Sequence, residues 1–189
     1  MLIQNIVNTF FCSCTYVLTV DDFSWLVDCG DVEPLLSLLK GKNLKGVLLT
    51  HAHFDHIYGL NELLMHFPNV KVYTNESGRE SLLNDKMNLS RYHETPFVFE
   101  FPENIRIVDG GDEIALSKDF RAKVIVTPGH HPSCLTYVID NAIFTGDSYI
   151  PGVKVVTNLP QGNKKQAHES VDCILSLSES GTIYPGHSS

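Results

Sequence analysis

The segment HAHFDH places three histidines and one aspartate in six consecutive positions. His51 and His53 follow the apolar run GVLL, and an extended backbone at this point projects both imidazoles to the same side. Two imidazoles at that spacing can bind one metal ion. Asp55 and His56 come where the chain turns toward a predicted helix, so they fit better on a second ion beside the first. The alternative, a polar loop with coincidental histidines, is disfavoured because four metal-binding side chains share one frame.

Three further side chains of the same kind each follow an apolar strand and a short turn. They are His130 in KVIVTPGH, Asp147 in AIFTGD and His187 in TIYPGH. In layered α/β folds, ligands collect at the carboxyl ends of strands. Taken singly, these residues have structural alternatives as a loop histidine, a capping or turn aspartate and a frayed terminus. Together with HAHFDH they predict one shared site, to which the last strand carries His187.

The elements that position these residues are predicted from local patterns. Helical spacing of apolar residues, with Pro early and Gly late in the first case, predicts helices at 31–41, 56–67 and 164–178 and a weaker one at 76–89. The sequence DGGD at 109–112 is interpreted as a hairpin turn within 106–116. Segments rich in β-branched and aromatic residues predict the strands, at 8–20, 23–30, 45–50, 70–74, 106–116, 122–127, 135–140, 141–147 and 182–184. Strands mixed with helices indicate an α/β layered fold.

Composition and charge restrict the class of protein. The 189 residues, 43% hydrophobic and 19% charged, predict one globular domain spanning 1–189. A net charge of −8 opposes nucleic-acid binding and gives no reason to expect a membrane partner. The five cysteines lack zinc-ribbon or disulfide spacing, and the N-terminal segment lacks a signal-peptide charge pattern. These features predict a cytoplasmic protein with free thiols.

The motif order resembles that of the metallo-β-lactamase-fold hydrolases. THAHFDH is followed by Gly59, then by TPGHHPSC, TGD and YPGH. Within that superfamily the sequence is most similar to the glyoxalase II (hydroxyacylglutathione hydrolase) branch, from LVDCGD near the start to His187. The resemblance implies an α/β four-layer αββα sandwich, in which two mixed β-sheets are flanked by helices and the site lies along one edge.

The resemblance also implies a ligand set for two divalent metal ions. His51, His53 and His130 would bind one ion, Asp55, His56 and His187 the other, and Asp147 would bridge both. Asp55 and Asp147 are therefore the candidate catalytic residues. Asp28 in LVDCGD matches a family aspartate that supports the ligand loop from behind. Imidazole and carboxylate ligands suit zinc, and also iron or manganese.

Seven nitrogen and oxygen ligands leave room for water between two ions, and metal coordination lowers the pKa of bound water to about 7. We expect a bridging hydroxide to attack the acyl carbonyl of a small-molecule ester or thioester. A thioester is chemically reasonable because a thiol of pKa about 8.5 leaves without help from a general acid.

Three other functions stay open. A lactonase would use Tyr149 beside Asp147, a persulfide dioxygenase would use one iron at the three-histidine site, and a metal-binding module would lack catalysis. Glyoxalase II enzymes carry a helical extension after the last metal histidine, and this sequence ends two residues after His187. The resemblance therefore carries over thioester chemistry but not glutathione specificity, and the oligomeric state is not predicted.

Several residues near the motifs have ordinary structural interpretations. Lys154 could contact an anionic group of the substrate, but the alignment is loose and a solvated lysine is favoured. Cys134 is predicted to be a buried, inert thiol. His131 stands where the family usually has a small residue. Tyr92 and His93 are predicted to be loop residues, and His66 and His168 to lie on the surfaces of helices.

Overall fold

The computed structural model describes residues 1–179 and 181–188. Six strands form the first sheet in chain order, with the first three antiparallel and the rest parallel. They are β1 Leu2–Val7, β2 Cys14–Val20, β3 Phe23–Val27, β4 Asn43–Leu48, β5 Lys71–Thr74 and β6 Ile105–Ile107.

Five strands form the second sheet, in the order β11-β10-β9-β8-β7, and only the β10–β11 pair is parallel. They are β7 Glu113–Ala115, β8 Arg121–Val126, β9 Leu135–Ile139, β10 Ala142–Gly146 and β11 Thr182–Pro185. The helices are α1 Val32–Leu39, α2 Leu60–His66, α3 Glu76–Leu82 and α4 Lys164–Ser178.

Alternating side chains of the first sheet point into two separate cores, as the two-residue period of a strand requires. Val17 and Leu26 belong to the core shared with α1 and α2. Leu18 and Trp25, one residue away, belong to the core between the sheets, where they join Tyr137 of β9. Helix α4 packs against β10 on the outer side of the second sheet. The predicted αββα sandwich of two mixed sheets is confirmed.

The predicted strand at 8–20 is wrong in its first half. The strand begins at Cys14, and residues 8–13 form a turn that follows the unpredicted strand β1. Phe11 and Cys12 both adopt positive φ angles, of 53° and 55°, which no strand residue can adopt. Asn8 closes this turn, since its backbone N–H donates to the carbonyl of Ser13 at 2.8 Å.

The predicted hairpin at DGGD is also wrong. Strand β6 belongs to the first sheet and β7 to the second, so residues 108–112 carry the chain from one sheet to the other. The hairpin that does form joins β7 to β8. Turn residues are found both in hairpins and in crossovers between sheets. The local sequence therefore does not predict which sheet the next strand joins.

The described part of the chain contains the four predicted α-helices, but two of them are markedly shorter than predicted. Helix α4 has the predicted bounds, whereas α2 starts only at Leu60 and α3 ends at Leu82. The apolar residues of α4 are not all buried: Ala167 and Ile174 are, whereas Leu175 is 43% exposed and the polar Ser170 is buried. Ser170 is accommodated there because its hydroxyl donates to the carbonyl of Pro128 at 2.6 Å.

No helix in the described part of the chain combines the length and the apolar character needed to cross a membrane. The assignment of residues 1–189 to one domain stays a prediction.

Candidate metal centre

Four strand ends deliver the seven predicted ligand residues to one edge of the sandwich. The segment 51–56 follows β4 of the first sheet, whereas His130, Asp147 and His187 follow β8, β10 and β11 of the second. Both sheets therefore contribute to the site. Residues 54–56 form one 3₁₀ turn, which carries Asp55 and His56.

Glycines allow two of these turns. Gly129, before His130, has a φ of 134°, and a Cβ at this position would overlap the backbone of Ala167 in α4. Gly146, before Asp147, has a φ of 51°, and a Cβ there would overlap the hydroxyl of Thr50. Any other residue at these positions would be strained and would push neighbouring elements away from the site.

The first group consists of His51, His53 and His130, whose potential ligand atoms lie within 4.8 Å of one another. All three side chains are buried. The Nε2 of His130 lies 2.9 Å from the Nδ1 of His53. Burial lowers the pKa of His51 and His53, and the neighbouring imidazoles lower it further. Both rings are therefore neutral at pH 7, the form that binds metal.

The second group consists of Asp55, His56 and His187, which also lie within 4.8 Å of one another. The Oδ2 of Asp55 lies 3.3 Å from the Nε2 of His187 and 3.4 Å from the Nε2 of His56. Burial by itself lowers the pKa of both histidines. The carboxylates of Asp55 and Asp147 outweigh burial, so that the pKa rises to about 9 for His56 and to about 11 for His187. This part of the site strongly favours positive charge.

Asp147 lies between the two groups. Its Oδ2 is 3.5 Å from the Nε2 of His130 and 3.3 Å from the Nε2 of His187, and its Oδ1 is 3.5 Å from the Nε2 of His56. Burial raises the pKa of Asp147, but His56 and the other nearby histidines outweigh this and lower it well below its usual range. Asp147 is therefore an anion in contact with both groups.

His51 is within reach of both groups, since its ligand atom also lies within 4.8 Å of those of His56 and Asp147. The structure thus brings all seven predicted residues together, with His51 and Asp147 next to both groups.

Hydrogen bonds outside the site fix three of the imidazoles, those of His56, His130 and His187, with Nε2 facing inward. The Nδ1 of His130 donates to the carbonyl of Val156 and that of His187 to the carbonyl of Phe11, both at 2.9 Å. The Nδ1 of His56 donates to Asp28 at 2.9 Å. Partners of this kind set the tautomer and orientation of metal-binding histidines.

Asp28 supports the ligand loop, as the resemblance implies. Its carboxylate is buried, accepts hydrogen bonds from the backbone N–H and the hydroxyl of Thr50, both at 2.7 Å, and also contacts His56. A single carboxylate thus holds the residue before His51 and the ring of His56.

Buried polar atoms without hydrogen-bond partners also indicate that the site binds cations. The Nε2 atoms of His51 and His53 and the Oδ1 of Asp147 are buried without a hydrogen-bond partner in the described structure. Buried polar atoms in native proteins are almost always paired, because an unpaired one costs free energy. Divalent cations at this site would satisfy all three atoms.

Sequence reasoning missed Ser13, which lies in the turn between β1 and β2. Its side chain is fully buried and donates to the backbone carbonyl of Asp55 at 2.7 Å. No sequence signal marks this serine, because the contact joins residues 42 positions apart.

The remaining residues near the motifs behave largely as predicted. Cys134 is buried, which raises the pKa of its thiol to about 12 and makes it unreactive. His131 is buried and bonds to Ser133, although its Nε2 has no partner in the described structure. Lys154, Tyr92, His66 and His168 are exposed, and His93 stacks on Phe54.

Known proteins are similar to this chain over most of its length. A family model described as the metallo-β-lactamase superfamily matches residues 7–187. The hydroxyacylglutathione hydrolase of Vibrio cholerae is 32% identical over 88% of this chain and 62% of its own length. The probable metallo-hydrolase YqgX of Bacillus subtilis is 29% identical over 91% of this chain and 83% of its own length. The chain thus spans less than two thirds of the hydroxyacylglutathione hydrolase.

Solved structures agree with the architecture. The crystal structure of the BLEG-1 B3 metallo-β-lactamase has a TM-score of 0.90 and 27% identity, and the match covers 100% of this chain and 92% of that one.

Proposed function

Because the chain belongs to the metallo-β-lactamase superfamily, we propose that it is a metal-dependent hydrolase with two divalent cations at this site. The observation that carries the proposal is the position of Asp147, whose two oxygens face histidines of both groups. A carboxylate between two clusters of imidazoles is the arrangement expected for a ligand that bridges two ions.

The proposed ligands follow from the two groups. One ion would be bound by His51, His53 and His130, and the other by Asp55, His56 and His187, with Asp147 shared. Nitrogen and oxygen ligands without thiolates suit zinc, and also iron or manganese.

When bound, the cations supply a water of lowered pKa and act as Lewis acids toward a carbonyl oxygen. The protein's part is to hold the ligands. Leu49, Ala52 and Ile57, which neighbour the ligands in sequence, are fully buried in the core, so the ligand loop is rigidly anchored. Asp55 and Asp147 supply the negative charge that keeps the cations in place.

We propose a small thioester as the substrate. The proposed ligand set uses all seven side chains for cation binding, so a substrate that needs no general acid fits best. A thiolate leaves without a donated proton at neutral pH, because the pKa of a thiol is about 8.5. The name of the Vibrio cholerae relative, a hydrolase of a glutathione thioester, supports the same class of substrate.

The test uses zinc-loaded protein assayed with lactoylglutathione and with the acetyl thioester of N-acetylcysteamine. The proposal predicts two ions per chain and turnover of at least one thioester. In the variant His51→Ala, bound metal and hydrolysis should be lost while the circular-dichroism spectrum stays native, because the strands supply the core. His66→Ala, which changes an exposed helix histidine, serves as the control. Full activity of His51→Ala would refute the ligand role.

The lactonase alternative has one supporting observation. Tyr149 follows the Asp147–Ser148 turn and lines a groove beside the site. Turnover of an acyl-homoserine lactone in place of thioesters would select this function. One bound iron with oxygen consumption would select the dioxygenase, and two bound ions without turnover of any of these substrates would leave a binding module.

A further inference from the structure

A groove of about 770 Å³ lies between the segment 149–157 and the first half of α4. Its volume is in the range of small-molecule binding sites. Val155, Ala167 and Val171 provide an apolar floor that is buried or half-buried. Val153 extends this surface into solvent, with 51% of its side chain exposed. The groove thus has an apolar surface that is open to solvent.

The groove lies beside the candidate metal centre and shares part of its wall with a small cavity there. Val153, Lys154 and Val155 also line a small cavity of about 30 Å³ whose other walls include His130 and Asp147. The same segment is attached to the centre by the hydrogen bond from His130 to the carbonyl of Val156. The groove is therefore the neighbouring surface on which the rest of a molecule that reacts at the metal centre would lie.

The charge around the groove is opposite to that of the whole protein. The chain has a net charge of −8, yet Lys154, Lys164 and Lys165 line the groove and no Asp or Glu is among its lining residues. Lys165 is 3.8 Å from Glu169, and both side chains are highly exposed, so this pair is weak. Among the described residues, no carboxylate lies within ion-pair distance of Lys154 or Lys164.

We propose that this groove binds one arm of the substrate, an apolar stem that ends in a carboxylate or phosphate. The stem lies on the valines and Ala167, and the three lysines bind the anionic end. This inference rests on the proposed function, because it takes the reacting thioester to lie at the metal centre. It explains why three positive side chains without strong partners surround an apolar surface beside the site.

The binding test uses three thioether probes that share one stem and cannot be hydrolysed. They are 8-(ethylthio)octanoate, 8-(ethylthio)octylphosphonate as the stable analogue of a phosphate, and the neutral N-methyl-8-(ethylthio)octanamide, each titrated calorimetrically into metal-loaded wild-type protein. At least one anionic probe should bind about tenfold more tightly than the amide, since three partly screened charges contribute. Comparison of the carboxylate with the phosphonate identifies the preferred anion. Equal affinity for all three probes would overturn the proposal.

The variant Lys154→Gln/Lys164→Gln/Lys165→Gln tests the lysines. Its preference for the anionic probe should fall to within about twofold. A matched control, Lys40→Gln/Lys86→Gln/Lys118→Gln, removes the same charge from exposed lysines that do not line the groove and should retain the preference. An equal loss in both variants would show a general charge effect and contradict the assignment. Binding to anionic lipid vesicles without binding of any probe would assign the lysines to a membrane surface instead.

Kinetics with the corresponding acetyl thioesters separate this inference from the proposed function. Hydrolysis of the neutral thioester with no preference for the anionic ones would leave the hydrolase proposal standing and refute the groove. Tight, lysine-dependent binding of an anionic probe without hydrolysis of any thioester would support the groove and refute the hydrolase proposal.

Discussion

At the scale of single residues, the site depends on Asp147 more than on any one histidine. Its carboxylate contacts histidines that come from β8, from β11 and from the 3₁₀ turn at 54–56. His51 also reaches both groups, but its imidazole brings no negative charge. Loss of the negative charge at this one position should therefore weaken both proposed ions.

We expect Asp147→Asn to reduce metal affinity at least as strongly as loss of an outer-shell partner, which typically costs about 10–100-fold. An amide keeps the shape of the side chain but not the charge that attracts the cations. Metal per chain after dialysis against dilute zinc measures the effect, with exposed Asp119→Asn as the control. Two tightly held ions in Asp147→Asn would show that this carboxylate is not a ligand.

At the scale of elements, the turn at residues 8–13 holds residues of the second group, Asp55 and His187. Ser13 donates to the carbonyl of Asp55, and the carbonyl of Phe11 accepts from His187. Cys12 accepts from the backbone N–H of Ser188, and Tyr16, just beyond in β2, donates to the carbonyl of Pro185. This turn holds both the last strand and the loop that contains Asp55.

We predict that Ser13→Ala weakens one of the two ions selectively. The variant removes the hydrogen bond that holds Asp55, so the affinity of the second ion should fall about tenfold, while the three-histidine site keeps its ion. Zinc titration monitored by calorimetry resolves the two steps. Ser24→Ala is the matched control, since the Ser24 hydroxyl is also buried but has no partner in the described structure. Equal weakening of both ions would indicate a general loss of structure.

The start of α1 offers a test by pH. Asp31 accepts hydrogen bonds from the Tyr58 hydroxyl at 2.6 Å and from the backbone N–H of Thr9 at 2.7 Å. Burial by itself raises the pKa of Asp31, but these bonds outweigh it and lower the pKa below its ordinary value. A lowered folded pKa gives stability that is present above the unfolded value, about 3.9, and is lost as the pH falls through the folded pKa.

Asp31→Asn should therefore cost about 1 kcal/mol at pH 7, a modest value because the carboxylate is partly open to solvent. The cost should shrink below about pH 4, where the wild-type carboxyl is progressively protonated. Urea unfolding of both proteins at pH 7 and pH 3 measures the difference. A cost that stays the same at both pH values would show that the charge of Asp31 is not what stabilises the turn.

Elements differ in how far the sequence predicts them. Helix α4 has a continuous 15-residue pattern and an asparagine cap, and its bounds were predictable. Strand β1 and the turn after it were not, because Phe11 and Cys12 look like strand residues although they adopt positive φ. The outcome there depends on Asn8 and Ser13, which also bond to residues far away in the sequence. The side chain of Asn8 accepts from the backbone N–H of Asp31, and Ser13 donates to the carbonyl of Asp55.

At the scale of the whole molecule, the site lies where the edges of two sheets meet. His51, His53, Asp55 and His56 follow a strand of the first sheet, and the other three proposed ligands follow strands of the second. The sequence predicts which residues end strands. It does not predict that DGGD carries the chain between sheets, and this crossover places the two sets of strand ends at one edge.

The most direct test of the central claim is anomalous diffraction at the zinc absorption edge from crystals of zinc-loaded protein. The account predicts two anomalous peaks per chain, one among His51, His53 and His130 and one among Asp55, His56 and His187, with Asp147 in contact with both. A single peak, or zinc bound away from these seven side chains, would contradict it.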